Sequence, residues 1–108
     1  MGNFLWTERR GEMITEIAIL NIKQNQSEAF LSSFAIAEEI ITSNKGYISH
    51  ELQKCIEQDD KFLLTVKWQT LEDHTEGFRK SEQYQEWKKL LHHFYDPFPV
   101  VEHYKKNL

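Results

Sequence analysis

The order of hydrophobic periods along the chain constrains its fold more than any other feature. Alternating or β-branched stretches predict four strands, at residues 13–22, 47–56, 61–68 and 98–104. Apolar residues at helical spacing predict two helices. The apolar face of the first carries Phe30, Phe34, Ala37 and Ile41, and that of the second carries Tyr84, Trp87, Leu91 and Phe94. The order β-α-β-β-α-β indicates an α+β fold of the ferredoxin-like type, with both helices on one side of a four-stranded antiparallel sheet.

Residues at the ends of these elements agree with this order. Asn25 followed by Glu28 is typical of a capping box at the start of the first helix, and Gly46 suits the left-handed residue after its end. Only four polar residues, 57–60, connect the second and third predicted strands. A connection this short predicts an antiparallel hairpin. Ser81 is a good N-cap for the second helix.

The third strand has apolar residues on both of its faces. One face carries Phe62, Leu64, Val66 and Trp68, and the other carries Leu63, Thr65 and Lys67. Because an antiparallel sheet that faces water on one side normally alternates apolar and polar residues, both faces of this sheet should be covered. A chain of 108 residues forms one domain and has no second layer to spare. We therefore predict a homodimer in which a second copy covers the open face.

Composition excludes several classes of partner. The chain is 28% charged with a formal net charge of −4 and no basic stripe, so a nucleic-acid partner is not expected. No apolar run is long enough for a transmembrane helix, so no membrane partner is expected either.

Cys55 is the only cysteine, which fits a reducing compartment and predicts a cytoplasmic protein. Residues 1–12 follow no period and are expected to form a flexible extension before a domain at 13–108.

The five histidines show no metal-ligand spacing, and no glycine-rich phosphate loop is present, so no metal or cofactor is predicted. The aromatic residues instead suggest an apolar pocket edged by a few polar groups. The pocket hypothesis concerns the rings of Trp68, Phe78, Tyr84 and Trp87 and the imidazoles of His50, His74 and His92. The competing interpretation is that the rings form an ordinary core and that His74 and His92 lie on a solvated helix surface.

The stretch after the third strand resembles a known family. Trp68, then Leu71-Glu72-Asp73-His74, Phe78, Ser81-Glu82-Gln83-Tyr84 and Trp87, is similar to the signature of antibiotic biosynthesis monooxygenase (ABM) domains. The segment from Asp96 to Tyr104 resembles the last strand of such proteins, and the likeness extends from Met13 to about Lys106. The resemblance implies two ferredoxin-like protomers packed sheet to sheet as a dimeric α+β barrel. It also implies a cavity between each sheet and its helices.

The resemblance further implies a cofactor-independent monooxygenase that oxidises a small aromatic substrate, quinol-like or polyphenol-like, with dioxygen. In such members an Asn, a Trp and Tyr or His groups hold the substrate. Trp68 matches the Trp position, and Asn21 on the first strand is the candidate for the Asn. Phe78, Tyr84 and Trp87 complete the expected substrate pocket, and His50, His74 or His92 is the expected proton acceptor.

Two alternatives remain open from the sequence. The chain could be a non-catalytic module that binds a small ligand or a partner, because a fold does not determine a function. A less favoured alternative is a haem-degrading branch, for which Trp68 again matches. The axial histidine of that branch would fall at Trp87-Lys88 in this sequence, and His92 lies about one helical turn later. The first-strand Asn of that branch would fall nearer Ala18 than Asn21. Both mismatches count against this alternative.

Overall fold

The structure, a computed structural model, describes residues 13–108. Its main elements are β1 (Ile14–Asn21), α1 (Ser27–Thr42), β2 (Tyr47–Lys54), β3 (Lys61–Trp68), a π-helical turn (Asp73–Phe78), α2 (Glu82–Leu91), a 3-10 turn (His92–Phe94) and β4 (Val101–Lys105). The predicted β-α-β-β-α-β order and the ferredoxin-like α+β class are therefore confirmed. The predicted flexible extension at residues 1–12 lies outside the described residues.

The four strands form one antiparallel sheet in the order β2-β3-β1-β4. β1 is central and pairs with β3 on one side and β4 on the other. This register sets Glu16 opposite Val66 of β3 and opposite His103 of β4. Residues directly opposite in an antiparallel pair have Cβ atoms about 4.5–5.5 Å apart and point to the same face. Glu16 and His103 therefore share the face that the helices cover.

That face carries the hydrophobic core. The even-numbered side chains of β1 and β3 point towards the helices and are buried, whereas the odd-numbered ones are more exposed. α1 contributes the four residues that its helical spacing predicted, Phe30, Phe34, Ala37 and Ile41. Phe30 is fully buried and packs against four other rings, with the centroid of Phe62 at 5.2 Å. Burial of each such side chain contributes roughly 1.5–3 kcal/mol, so this packing fixes α1 on the sheet.

The opposite face of the sheet is not covered by either helix. It presents Ile17 and Ile19 of β1, Leu63 of β3 and Tyr104 of β4, and Ile19 remains 48% exposed. Among residues 13–108, no helix packs on this side. The face has the apolar character that the sequence of the third strand predicted.

The ends of several elements differ from the predicted ones. α1 begins at Ser27 and not with an Asn25 capping box, because Asn25 adopts a left-handed backbone with φ 63°. Asp60, in the β2–β3 turn, accepts hydrogen bonds from the Asn25 backbone and the Ser27 hydroxyl instead. The Ser81 cap is confirmed, since its hydroxyl accepts a hydrogen bond from the Tyr84 backbone at 3.2 Å. Gly46 has the predicted left-handed conformation, with φ 86°.

Candidate functional site

A cavity of about 420 Å³ lies between the sheet and α2. Its apolar wall is formed by Ala18, Leu20, Leu64, Phe78, Trp87 and Phe98. Its polar lining is formed by Glu16, His74, Arg79, Tyr84, His92 and Tyr95. This volume falls within the roughly 300–1,000 Å³ of typical small-molecule sites, and so does the pattern of apolar walls with a few polar groups.

Glu16 is a buried acid on the central strand. It occupies an inward position of β1 between Ile14 and Ala18 and is only 7% exposed. Its Oε1 accepts a hydrogen bond from Trp68 Nε1–H at 2.9 Å and lies 3.4 Å from His74 Nε2. Burial raises the pKa of the Glu16 carboxyl, while the Trp68 hydrogen bond and the charge of Arg79 partly oppose that rise.

His74 reaches the same carboxylate from the π-helical turn. Its ring is 3% exposed and stacks on Trp68, with centroids 5.4 Å apart and planes inclined by 19°. Its Nδ1 lies 2.8 Å from Nε2 of His103 on β4. Burial lowers the pKa of His74 to about 3, with smaller contributions from Arg79 and His103. His74 is therefore a neutral imidazole at pH 7, and burial lowers the pKa of His103 as well.

Glu16, His74 and His103 lie in one line of polar contacts, in which His74 is close to the carboxyl group on one side and hydrogen-bonds His103 on the other. When Glu16 is ionised and both imidazoles are neutral, the consistent assignment has the hydrogen of His74 on Nε2, facing the carboxylate, and His103 Nε2–H donating to His74 Nδ1. Because His74 Nε2 already carries a hydrogen in this arrangement, a proton received from a molecule bound in the cavity stays on Glu16. Glu16 is thus the proton acceptor, and His74 and His103 position it.

The remaining polar groups of the cavity are neutral or sit at its edge. Burial raises the pKa values of the Tyr84 and Tyr95 hydroxyls, so both remain protonated hydrogen-bonding groups at pH 7. Burial also lowers the pKa of His92, with Lys88 contributing in the same direction. Arg79 follows the π-helical turn and is exposed while lining the cavity. The interior therefore holds one acid, and the rim holds one guanidinium.

The structure brings together most of the residues that the sequence singled out. His74, His92, Phe78, Tyr84 and Trp87 line the cavity. Trp68 does not line it but lies behind Glu16 and His74, contacting both. The competing interpretation, in which His74 is on a solvated helix surface, is wrong because its ring is buried.

His50 and Asn21 do not line the cavity. His50 faces α1 from the edge strand β2, where it hydrogen-bonds Tyr47 at 2.6 Å and Glu38 at 2.9 Å. Asn21 is an odd-numbered residue of β1, so it falls on the side of the strand away from the helices, and it lines a separate groove that includes Ile17 and Ile19. Neither residue lines the cavity that holds His74 and His92.

The sequence reasoning missed Glu16 as a functional residue and left His103 and Arg79 without a role. A signal for Glu16 was present, because it is the one charged residue among the inward positions Ile14, Glu16, Ala18 and Leu20 of a central strand. A buried acid there requires a compensating partner. The partner could not be read from the sequence, since it depends on the β1–β4 register and on the geometry of the π-helical turn.

Residues 13–108 contain no group of three or more His, Cys, Asp or Glu side chains arranged to hold a metal ion. In the same part of the chain, no helix combines the length and apolar character needed to cross a membrane.

Comparison with known proteins places these features in a family. The family model for antibiotic biosynthesis monooxygenase matches residues 13–90. The uncharacterized protein YczJ of Bacillus subtilis is 56% identical over 93 residues, which cover 86% of this chain and 98% of YczJ. The structure of a candidate antibiotic biosynthesis monooxygenase from Bordetella bronchiseptica is 31% identical with a TM-score of 0.85, covering 90% of this chain and 99% of that one.

A more distant structure is SnoaB from Streptomyces nogalater, a cofactor-independent oxygenase. It is 13% identical with a TM-score of 0.70, covering 90% of this chain and 93% of SnoaB, and this likeness concerns the fold alone. The family match covers β1 to β3, both π-helical-turn residues of the cavity wall and nearly all of α2, and it ends before the 3-10 turn and β4. The chain described here belongs to the antibiotic biosynthesis monooxygenase family.

Proposed function

We propose that this protein is a cofactor-independent monooxygenase that oxidises a small quinol-like or polyphenol-like aromatic with dioxygen in the cavity beside Trp68. The observation that carries the proposal is a buried carboxyl group on the cavity wall, Glu16, which is hydrogen-bonded by Trp68 and contacted by His74. A phenol becomes reactive towards dioxygen when it loses its proton. The protein must therefore bind the ring, orient it and accept that proton.

Glu16 is the proposed base, and His74 is the group that positions it. Burial raises the pKa of Glu16, which makes it a stronger base than an exposed carboxylate. The neutral His74 ring directs its Nε2–H towards the carboxylate and is held on its other side by the hydrogen bond between its Nδ1 and His103. His92, which also lines the cavity, is the second candidate acceptor. Trp68 holds the acid in place through its indole N–H and its stack on His74.

The reaction balances without a further reductant. The phenolate transfers one electron to dioxygen, and the resulting pair combines to form a C–O bond and a ring hydroperoxide. Loss of the ring hydrogen as a proton then breaks the O–O bond and leaves a carbonyl on the ring. The substrate loses two hydrogens and gains one oxygen atom, and the second oxygen atom leaves as water. Glu16 takes the first proton and returns it to the peroxide.

The apolar wall suits the ring of such a substrate. Phe78, Tyr84 and Trp87 offer apolar ring surfaces around one cavity, with the centroid of Phe78 at 5.2 Å from that of Tyr84 and 5.5 Å from that of Trp87. A non-catalytic module with a filled interior is less well supported, because about 420 Å³ beside Glu16 remains unfilled. The related fold of SnoaB, a cofactor-independent oxygenase, lends the proposal further support.

The proposed assembly is a homodimer in which the open sheet faces of two copies pack together as an α+β barrel. Its support is the exposed apolar surface of Ile19, together with Ile17, Leu63 and Tyr104. Contiguous apolar surface of this kind on a sheet commonly marks an interface. The proposed location is the cytoplasm, on the argument from the single cysteine.

An oxygen electrode tests the proposed activity directly. The purified protein is incubated with a panel of hydroquinones and larger polyphenols, and protein-dependent oxygen uptake is expected with at least one of them. Glu16→Gln keeps an oxygen that accepts from Trp68 but cannot take a proton, so kcat should fall roughly 100- to 10,000-fold. Glu86→Gln makes the same change on the exposed side of α2 and should leave the rate unchanged. Oxygen uptake that is absent throughout the panel would overturn the proposal.

A further inference from the structure

We infer that the natural substrate carries a carboxylate on or near its aromatic ring, and that Arg79 at the cavity rim binds that group. This inference rests on the proposed function in taking the cavity beside Glu16 as the substrate site. It adds the substrate's charge and its orientation, neither of which follows from the role of Glu16 as proton acceptor.

Arg79 is a cation that the described residues leave unpaired. Its guanidinium makes no ion pair and no side-chain hydrogen bond within residues 13–108, although it lines the cavity. The neighbouring cation Lys80 is paired with Glu76 at 2.7 Å and does not line the cavity. A guanidinium binds a carboxylate in a planar, bidentate manner, which makes an unpaired one beside a cavity a suitable anion-binding group.

The backbone fixes the position of Arg79 relative to His74. The Arg79 N–H donates a hydrogen bond of 3.0 Å to the carbonyl of His74, so the same turn carries both residues. The charge of Arg79 acts on the interior, where it contributes to the pKa values of Glu16, His74, Tyr84 and His103. Its field therefore reaches the groups on which a substrate would lie.

The two charges of the cavity also define an orientation. An anionic group placed beside Glu16 would meet a like charge in a poorly solvated interior, which is unfavourable. The same group at the exposed guanidinium gains a charge-assisted contact. The substrate carboxylate is therefore directed to the rim, and the phenolic hydroxyl is left to face Glu16. A substrate with no charge would lack this restraint on its orientation.

Matched ligands test the inference by binding alone, in the absence of oxygen. Gentisate is a hydroquinone with one ring carboxylate, and gentisamide is its neutral carboxamide of nearly the same shape. Their dissociation constants are measured by calorimetry at neutral pH with the wild type, Arg79→Gln, Arg79→Lys and the control Lys80→Gln. Lys80→Gln removes one positive charge from the adjacent residue, so it reports the effect of net charge alone.

The expected result is that wild type binds gentisate roughly tenfold more tightly than gentisamide, and that Arg79→Gln abolishes this preference. Lys80→Gln should retain the preference, and Arg79→Lys should retain part of it. Equal affinity for the two ligands, no binding of either, or a preference that Arg79→Gln leaves intact would overturn the inference. Each variant's far-UV spectrum checks that it is folded.

The same proteins then separate this inference from the proposed function. Oxygen uptake with gentisate is measured after the binding experiment. Arg79-dependent binding without any oxygen uptake supports anion recognition and counts against the monooxygenase. Oxygen uptake from neutral hydroquinones without Arg79-dependent binding supports the enzyme and contradicts the inference.

Discussion

At the scale of single residues, the informative feature is an acid kept inside an apolar sheet. Removing a carboxylate from water costs several kcal/mol unless partners compensate. Glu16 has two such partners, the Trp68 indole N–H and His74. Groups whose pKa values are shifted by burial and that line a cavity are concentrated at functional sites. The combination makes Glu16 the residue on which the account depends.

The hydrogen bond between His103 and His74 gives a first prediction. His103→Leu removes this hydrogen bond and leaves the His74 tautomer unfixed, so kcat should fall by roughly tenfold while the ligand dissociation constant stays the same. His103→Gln, whose amide can replace the hydrogen bond, should keep more of the rate. His93→Leu changes an exposed histidine outside the cavity lining and serves as the control. Equal rates for His103→Leu and His103→Gln would contradict a role for this hydrogen bond.

The buried neutral state of His74 predicts how stability depends on pH. An unfolded histidine takes a proton near pH 6.5, whereas folded His74 does so only at about 3. The unfolded state therefore binds more protons between these values, and the free energy of unfolding should decrease as pH falls through that window. The slope from one such group is at most about 1.4 kcal/mol per pH unit. Chemical denaturation at several pH values from neutral to mildly acidic measures it.

His74→Gln is the matched variant for this measurement, since glutamine can still donate to Glu16 but does not titrate in the window. Its stability curve should be flatter than that of the wild type. Glu16 acts in the opposite sense, because its raised pKa makes the folded state the better proton binder just above pH 4.5. His92 and His103, whose pKa values are also lowered, keep a residual slope in both proteins. Parallel curves for the two proteins would contradict a neutral, buried His74.

At the scale of elements, the π-helical turn Asp73–Phe78 organises the site. It carries His74 and Phe78 into the interior and ends beside Arg79. The turn contains Gly77, and glycine is a poor former of regular α-helix. π-helical turns occur frequently at functional sites. A pattern of apolar residues could not specify this winding, because it assumes a regular helical period.

The contact between Gly46 and the start of this turn gives an element-scale prediction. Gly46 has φ 86°, and a side chain there would overlap the Asp73 carboxylate, which is also paired with Lys45 at 3.3 Å. Gly46→Ala should therefore destabilise the protein by roughly 1–3 kcal/mol or more. Gly77→Ala is the control, because its added carbon meets no atom closer than 3.8 Å. It should be neutral or stabilise by about 0.4–1 kcal/mol.

Denaturant titration of both glycine variants checks these values. Equal stability of the two variants would contradict the described packing of Gly46 against Asp73. The folded Gly46→Ala variant should also have a lower kcat for oxygen uptake, since displacement of Asp73 moves the adjacent His74.

At the scale of the whole molecule, the open sheet face predicts association. A Lys in place of Ile19 would set a charge in the centre of the proposed interface, so Ile19→Lys should shift the protein from dimer to monomer. Ile36→Lys makes the same change at a 61% exposed position of α1 and should remain a dimer. Sedimentation at micromolar concentration measures both. A wild-type mass near the monomer value of 13.0 kDa would contradict the dimer.

The sequence was sufficient for the fold but only partly for the site. Alternation in β1 and β3 and the helical spacing of Phe30, Phe34, Ala37 and Ile41 report burial directly, so the elements and their faces could be predicted. The pairing of Glu16 with His74 and His103 could not, because it joins three elements whose relative positions no local pattern records. His50 and His74 were equal candidates for the proton acceptor in the sequence. In the structure His50 lies on the edge strand β2 and contacts α1, away from the cavity.

The central claim is that one oxygen atom of dioxygen enters an aromatic substrate bound beside Glu16. Its most direct measurement is mass spectrometry of the product after turnover under isotopically labelled dioxygen, with catalase present to remove peroxide formed by spontaneous oxidation. The account predicts that the wild type forms a product with one labelled oxygen atom in each molecule. Glu16→Gln should form almost none of this product. An unlabelled quinone, or labelled product formed equally by both proteins, would contradict it.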